Sequence, residues 1–324
     1  MQRRIFVKSF GFAVSAGVCG LVNAQVWPSK PVRVVIPFPA GTTPDVLARV
    51  LFDRVGSRLG QPFVIDNRPG ASGNIGTDAV AKAPPDGYTI GLTVAGPLVL
   101  NPLLFKAMPY DPARDLKLIT IAASQPSVLV ASNKLSASSA SDLISLLDRK
   151  GGRYGISTIG TGTISQMAMY LLTAGTQADL VQVPFGGSGA AATALMAGEV
   201  DVALLPAAAV VPYVLSEKMK ALGVADSRRM AVLPSVPTLR EAGLPSFPGD
   251  AWIGVVAPAK TPDVLTHRLR EEIVRALAEP DIRQKLQAQY MNGVGNTPAE
   301  FQKVLEYELS VWSPVIRRHG ISIQ

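Results

Sequence analysis

The chain has 324 residues, of which 48% are hydrophobic and 17% are charged, so it has enough apolar material for a large core and enough length for two lobes. This composition excludes an intrinsically disordered chain. The formal net charge of +7 is mild, and the Lys and Arg residues are scattered without interleaved aromatics, so we expect no nucleic-acid partner.

Residues 1–24 have the form of a secretory signal peptide. A basic start is followed by an apolar stretch from about Phe10 to Val22 and by small residues up to Ala24, after which cleavage is expected. The run RRIFVK at 3–8 also resembles a twin-arginine export signal. An N-terminal anchor is the alternative. We expect a periplasmic protein, exported by the twin-arginine route or by another.

Removal of this segment would change the chemistry of the chain. It takes away Arg3, Arg4 and Lys8, which leaves 28 basic and 24 acidic residues and a net charge of +4. It also takes away Cys19, the only cysteine. The mature protein would then lack disulfides, thiolate metal ligands and cysteine nucleophiles.

Strands and helices alternate after the signal. The pattern predicts strands at 31–36, 63–65 and 88–94, with helices at 45–59 and 74–83. A second run predicts strands at 128–131, 154–157, 180–183, 200–205 and 220–224, with helices at 140–150, 165–174 and 189–198. Alternation at βαβ spacing requires crossover connections and therefore favours parallel sheets covered on both faces.

The C-terminal part is mainly helical. Residues 233–250 are rich in proline and predicted irregular, and a strand follows at 251–257. Helices are predicted at 262–278, 280–289 and 298–319. Thr261 and Thr297 are expected to cap two of them, with Pro262 and Pro298 in the first turns.

These elements predict an α/β protein of two lobes, each a mainly parallel sheet flanked by helices, with a cleft between them. Lobe 1 would comprise 25–125 and 249–324, and lobe 2 would comprise 126–248. In such sheets ligands bind beyond the carboxyl ends of strands, so the loops that lead from strand to helix are the candidate site.

The loop IPFPAGTTPD at 36–45 carries no Lys, Arg or His. A helix start presents unpaired N–H groups and the positive end of its dipole. Gly41 allows a ligand to approach the backbone, and Thr42 and Thr43 add hydroxyl groups. The loop therefore has the parts of an anion site without a cationic side chain. The alternative is that Thr43 caps a helix that Pro44 starts, and that nothing binds.

Two loops of the second lobe have a similar composition: IGTGTISQ at 159–166 and VPFGGSG at 183–189. If they face the same cleft, they predict an anionic ligand held from two sides by backbone amides and hydroxyls. An ordinary helix start explains the first loop equally well, and close packing before an Ala-rich helix is the alternative for the second.

Enzyme motifs are missing. The chain has no G-x-G-x-x-G, no G-x-x-x-x-G-K-[ST] and no G-x-S-x-G. His267 and His319 lie beside arginines in predicted helices and are expected to be solvated, so no metal site and no cofactor are expected. Asp45 and Asp201 are a conceivable carboxylate pair, but Asp45 is as well explained as a first-turn acid that stabilises its helix.

Ordered motifs extend over nearly all of the chain after residue 24. They read WPSKPVRVVIPFPAG at 27–41 followed by Asp45, DNRPGASGNIG at 66–76, DGYT at 86–89, VPFGG at 183–187, LMAGEVD at 195–201, VPTLREAG at 236–243 and WIGVVAPAKTP at 252–262. Together they resemble the solute-receptor family of tripartite tricarboxylate transporters, often called Bug-type receptors. The resemblance implies a two-lobed periplasmic-binding-protein fold, type II-like, that closes as a Venus flytrap on a small carboxylate-bearing solute.

The resemblance further implies a non-catalytic, monomeric receptor that delivers its solute to membrane permease subunits. Combined with the helix-start argument, it gives this candidate ligand-binding set: Phe38, Ala40, Gly41, Thr42, Thr43, Asp45, Gly160, Thr161, Gly162, Thr163, Ser165, Phe185 and Gly186. Two positions depart from the family. Thr42 stands where a second glycine is usual, and Ser165 and Gln166 stand where histidine is frequent.

Two other functions remain open on the sequence alone. One is an exported enzyme acting on a carboxylated substrate, with Asp45 or Ser188 in a catalytic role. The other is a ligand-responsive partner of a sensor protein. The solute itself is not specified, although the segments 95–101 and 205–210 are expected to contact its far end.

Overall fold

The computed structural model describes residues 27–149, 151–160, 162–172, 176–244 and 248–322. The predicted signal peptide, with Cys19 and the cleavage position at Ala24, lies outside these residues. Within the described ranges, none of the helices has the length and apolar character that crossing a bilayer requires.

The described chain forms eleven strands and eleven α-helices. The strands are β1 Val32–Ile36, β2 Phe63–Asn67, β3 Thr89–Thr93, β4 Leu116–Gln125, β5 Ser127–Ala131, β6 Arg153–Thr158, β7 Asp179–Pro184, β8 Val202–Pro206, β9 Lys220–Ala225, β10 Ala251–Pro258 and β11 Asn292–Gly293. The helices are α1 Thr43–Leu59, α2 Asn74–Ala81, α3 Asn101–Leu104, α4 Pro112–Asp115, α5 Ala140–Leu147, α6 Ile164–Leu172, α7 Ser188–Ala197, α8 Ala207–Leu215, α9 Asp263–Ala278, α10 Pro280–Gln287 and α11 Pro298–His319. A 3₁₀ turn at Ala71–Gly73 precedes α2, and a π-helical segment at Gly96–Leu100 precedes α3.

Two sheets organise the molecule. The first has six strands in the order β11-β4-β10-β3-β1-β2, and the second has five in the order β7-β6-β8-β5-β9. The chain passes from the first sheet to the second at Pro126, between β4 and β5, and returns at β10. The predicted α/β fold of two lobes is confirmed.

Each sheet is mixed, so the prediction of mainly parallel sheets is wrong in this respect. The sequence-local βαβ units are parallel: β1 pairs with β2 and β3, and β6 pairs with β7 and β8. The antiparallel pairs involve the strands next to the crossings, namely β4, β5 and β10. Parallel pairing of neighbouring strands needs a crossover connection, usually a helix, and a strand that enters a sheet from the other lobe has none. The local spacing of strands and helices does not show which strands enter in this way.

Five elements have no counterpart in the sequence prediction. The strand β4 is one, although its ten residues are mostly buried. The short strand β11 and the helices α3, α4 and α8 are the others, and α8 contains Pro212 in its interior. The residues between β9 and β10, where described, form turns apart from a single bridge of Val224 to Thr238, as the proline content predicts.

Helix starts follow the cap rules at one of the two predicted positions. Thr297 accepts a hydrogen bond from Glu300 N–H and forms a capping box with it, and α11 ends at Gly320 in the left-handed region. The helix α9 instead has Pro262 in the N-cap position and no side-chain cap, so the prediction for Thr261 is wrong.

One continuous core connects the two sheets. It includes Val35 of β1, Leu129 of β5 and the fully buried Trp312 of α11. Two further clusters cover the opposite faces of the sheets. The rings of Tyr170 in α6 and His319 in α11 lie 5.2 Å apart, so helices of both lobes contact one another on the shared side. The two lobes are therefore packed against one another along this side.

Candidate functional site

The first candidate loop follows β1 and leads into α1. The Thr42 hydroxyl donates to Pro39 O at 2.7 Å, while its side chain makes no capping bond. Gly41 has a φ of +79°, which favours glycine, and the space where its Cβ would stand is open. The first-turn N–H groups of Thr43 and Asp45 have no intrahelical acceptor, as at any helix start.

The buried side chain of Asp45 holds the loop in place by accepting hydrogen bonds. Its side chain accepts hydrogen bonds from Gly41 N–H at 2.9 Å, from Arg49 Nε and Nη2 at 3.0 and 2.9 Å, and from Asn67 Nδ2 at 3.0 Å. Burial alone would raise the pKa of Asp45, but these hydrogen bonds outweigh it and hold the pKa below its usual value. Asp45 is therefore a structural anion of the loop, and it occupies the Gly41 N–H.

The second candidate loop, between β6 and α6, repeats this construction. Thr163 Oγ1 donates to Gly160 O, three residues earlier, at 2.8 Å. Gln166 Oε1 accepts from Gly162 N–H, four residues earlier, at 2.9 Å. Gly162 has a φ of +74°, close to that of Gly41 in the first loop. The two loops thus have the same turn and the same internal hydrogen bonds, in opposite lobes.

In both lobes a side chain from the neighbouring strand joins the hydrogen bonds of the loop, but only the first loop contains charged groups. Asn67, which ends β2, donates to Asp45, and Gln182 of β7 accepts from Gln166 Nε2 at 3.1 Å. The first loop is completed by an ion pair with Arg49, whereas the second is completed by two neutral amides. Both loops therefore offer an anion the dipole of a helix start, with no unpaired charge beside it.

Glycines stand where the β6–α6 loop meets the other lobe. A Cβ on Gly162 would lie 2.6 Å from Asn101 Oδ1, and a Cβ on Gly96 would lie 3.2 Å from Gly162 O. A Cβ on Gly73 would lie 3.2 Å from Phe38 Cζ. The β6–α6 loop therefore contacts the π-helical segment and α3 of the other lobe, and these lie close to the first loop.

The turn 70–73 lies at this contact and was not among the predicted site residues. Ala71 and Ser72 have φ values of +46° and +54°, between Gly70 at +128° and Gly73 at +90°. Non-glycine residues in this region cost about 1–2 kcal/mol each. Ser72 O accepts a hydrogen bond from Asn101 Nδ2 at 3.1 Å. The letters GASG were visible in the sequence, but they do not tell a strained turn from an ordinary one.

The remaining predicted residues lie at different depths. Exposed or half-buried at the loop surfaces are Ala40, Thr43, Phe185 and Gly186. Ser165 is only 4% exposed, and its hydroxyl has no hydrogen-bond partner within the described ranges. Thr161 lies outside the described residues. Both histidines are exposed, as expected.

Comparison with known families identifies this arrangement. The family model described as "Tripartite tricarboxylate transporter family receptor" matches residues 47–321. The chain belongs to this receptor family. The resemblance drawn from the sequence motifs is confirmed, and so is the function of a solute-binding receptor.

Individual relatives cover almost the whole receptor. BugT of Bordetella pertussis is 32% identical over 314 residues, which is 97% of this chain and 96% of BugT. A Rhodopseudomonas palustris protein solved with adipate is 32% identical, with a TM-score of 0.83, over 91% of this chain and 99% of its own. MatC of the same species, solved with bound malate, is also 32% identical, with a TM-score of 0.81, over 90% and 100% of the two chains.

Proposed function

We propose that this receptor binds a small dicarboxylate between the β1–α1 and β6–α6 loops and delivers it to the permease subunits of a tripartite transporter. The observation that carries the proposal is the matched pair of loops, one in each lobe, with the same glycine φ and the same threonine and i, i+4 hydrogen bonds. The similarity to receptors solved with adipate and malate supports the choice of a dicarboxylate.

The loops act as pre-ordered helix starts. Each internal hydrogen bond uses a side chain to fix the turn, so that the remaining first-turn N–H groups do not have to be ordered when the ligand arrives. A carboxylate placed between the loops is attracted by both helix dipoles. Because the contacts come from two lobes, they are complete only when the lobes approach, and binding therefore favours closure.

The lobes in this proposal are 25–125 with 249–324, and 126–248. The contact residues are those of the candidate ligand-binding set, with roles that differ. Asp45, Thr42 and Thr163 hold the turns, whereas backbone N–H groups contact the carboxylate. The protein acts in the periplasm as a monomer, after removal of residues 1–24.

Catalysis finds little support in the same geometry. Asp45, one of the two residues offered for a catalytic role, has both carboxylate oxygens engaged and a lowered pKa, whereas a general base works with an available oxygen and a pKa near the operating pH. We therefore propose a receptor without turnover.

The test is a thermal-shift and calorimetric screen with malate and adipate, with malamide as the uncharged control. A dicarboxylate at a hundredfold excess over its Kd is expected to stabilise the folded receptor by about 2.7 kcal/mol, and the diamide is expected to do nothing. Mass spectrometry after incubation is expected to return the ligand unchanged. No shift with any mono- or dicarboxylate, or a released product, would overturn the proposal.

A matched pair of variants locates the site. Thr163→Val removes the hydroxyl bond that fixes the second loop, and it is expected to weaken dicarboxylate binding about tenfold. Thr266→Val on α9 removes a similar bond, from Thr266 Oγ1 to Asp263 O at 3.1 Å, and neither residue belongs to the candidate ligand-binding set. Equal affinities of the two variants would place the ligand elsewhere.

A further inference from the structure

A cavity of about 420 Å³ lies beside the place where the chain crosses between the sheets. Its walls come from both sheets: Ser124 near the end of β4, Ala225 at the end of β9, Trp252 near the start of β10 and Tyr307 of α11. Of the candidate ligand-binding residues that the structure describes, none lines it. Its size is that of a site for a small organic molecule.

Three carboxyl side chains line this cavity, and two of them have buried oxygens. Glu308 is 0% exposed, and its Oε1 accepts a hydrogen bond from Trp252 Nε1 at 2.5 Å. Its Oε2 is buried without a hydrogen-bond partner in the described part of the chain, and the same is true of Asp250 Oδ1. Asp226 is a third carboxylate of the lining. Buried acceptors of this kind are costly unless a donor reaches them.

The rest of the lining favours an organic cation as that donor. Trp252 and Tyr307 provide aromatic surface, and the Tyr307 side chain is 54% exposed at the protein surface. Aromatic rings beside carboxylates attract ammonium groups that carry an apolar part. Arg240 also lines the cavity, but among the ion pairs of the described residues it pairs with none of these carboxylates, whereas the nearby Arg229 pairs with Glu241.

We propose that this cavity is a second binding site, which takes a small organic ammonium ion whose N–H groups donate to Glu308 Oε2 and Asp250 Oδ1. The apolar part of the ion lies against Trp252 and Tyr307. The site is separate from the carboxylate site, and because its walls come from both sheets, its occupant lies beside both crossings.

Proton release is the expected signature of binding. Burial and, secondarily, the charge of Asp250 raise the pKa of Glu308 to about 8, against the lowering effect of the Trp252 hydrogen bond. Burial and the charge of Asp226 raise the pKa of Asp250 to about 7. A bound cation stabilises the ionised carboxylates and lowers both pKa values, so binding releases protons and strengthens as pH rises.

The experiment is calorimetric titration of the purified receptor with phenethylammonium chloride at pH 6 and pH 8.5, with 2-phenylethanol as the uncharged control. The ammonium ion is expected to bind at least about tenfold more tightly at the higher pH, with proton release, and the alcohol is expected not to bind. Absence of ammonium binding at pH 8.5, or equal binding of the alcohol, would overturn the proposal.

Two variants test the assigned atoms. Glu308→Gln keeps an acceptor for Trp252 Nε1 but removes the charge of the Glu308 carboxylate. Asp250→Asn removes the charge of the Asp250 carboxylate. Each is expected to raise the Kd for the ammonium ion about tenfold at pH 8.5, whereas Asp53→Asn, an exposed change on α1, leaves it unchanged. Dicarboxylate binding is expected to be unaffected in all three. If both cavity variants bind the ammonium ion as tightly as the unchanged receptor, the assignment of these two oxygens is refuted. If Glu308→Gln fails to fold, the affinity of Asp250→Asn and the pH dependence of binding test the proposal instead.

Discussion

Replacing Gly162 by alanine is expected to weaken both the fold and the binding of dicarboxylate. Gly162 has a φ of +74°, and an added Cβ would lie 2.6 Å from Asn101 Oδ1 in the other lobe. Asn101 cannot move away freely, because its Nδ2 donates to Asn74 Oδ1 at 2.7 Å and to Ser72 O at 3.1 Å. The substitution therefore strains the backbone and pushes the lobes apart at the same point.

The magnitude has two parts. A left-handed φ costs an alanine about 1–2 kcal/mol. Relief of the contact with Asn101 costs about 1–3 kcal/mol more, which is typical of overpacking. The contact with Asn101 opposes the approach of the lobes and therefore the binding of the ligand. A penalty of about 1–3 kcal/mol corresponds to an increase in Kd of about 5- to 150-fold.

Gly151→Ala is the matched control. Gly151 has a φ of +79° and nothing within 4 Å of its added Cβ, so this variant carries the backbone strain alone. Urea unfolding gives the free energies, and calorimetry with malate or adipate gives the Kd values. If Gly162→Ala lost no more stability than Gly151→Ala and kept its affinity, the contact between the loop and α3 would not contribute to closure.

Three other predictions concern single side chains. Thr42→Ala removes the bond to Pro39 O that fixes the first loop, so it is expected to raise the Kd for a dicarboxylate about tenfold, as Thr163→Val does in the second loop; an unchanged Kd in calorimetry would contradict the role of this hydroxyl in the turn. Asp45→Ala removes the acceptor of four hydrogen bonds and is expected to lower the free energy of unfolding in urea by about 2–3 kcal/mol, against less than about 0.5 kcal/mol for the exposed Asp53→Ala; equal losses would contradict the structural role. The folded-state pKa of Glu308 is raised, so its contribution to stability is complete below its ordinary pKa of 4.5 and is lost as pH rises to about 8, by up to roughly 1 kcal/mol per pH unit. Glu308→Gln should flatten that slope when unfolding is measured at pH 5 and pH 8, and an unchanged slope would show that Glu308 does not titrate in this window.

The sequence located most elements because their signals are local. The run VRVVI at 32–36 and the spacing of apolar residues through 45–59 predicted β1 and α1 nearly to the residue. The strand β4 was missed; it lies within the first sheet, where it pairs with the distant strands β10 and β11. Its partners are more than 120 residues away, and no local period reports such pairing.

The candidate site depends on local and on non-local signals. The glycines and threonines of both loops could be proposed as ligand contacts from the sequence, because a strand, a small-residue turn and a helix start are contiguous there, and as ligand contacts they remain predictions. The strained turn at Ala71 and Ser72 was missed, although GASG lay within a quoted motif, because its role depends on contacts with Asn101 and through Gly96. The cavity at Glu308 was missed because its lining is assembled from six separate parts of the chain.

The sequence by itself determined that this is a two-lobed α/β receptor whose strand-to-helix loops lack their own cation. Hydrophobic periodicity and residue types that favour turns act over a few residues, so they can be read directly. Only the tertiary structure decided that Arg49 neutralises Asp45, that Thr42 serves the turn with its hydroxyl, and that Gly162 meets Asn101 of the other lobe. Side-chain geometry and contacts between lobes follow from packing, which no stretch of sequence specifies alone.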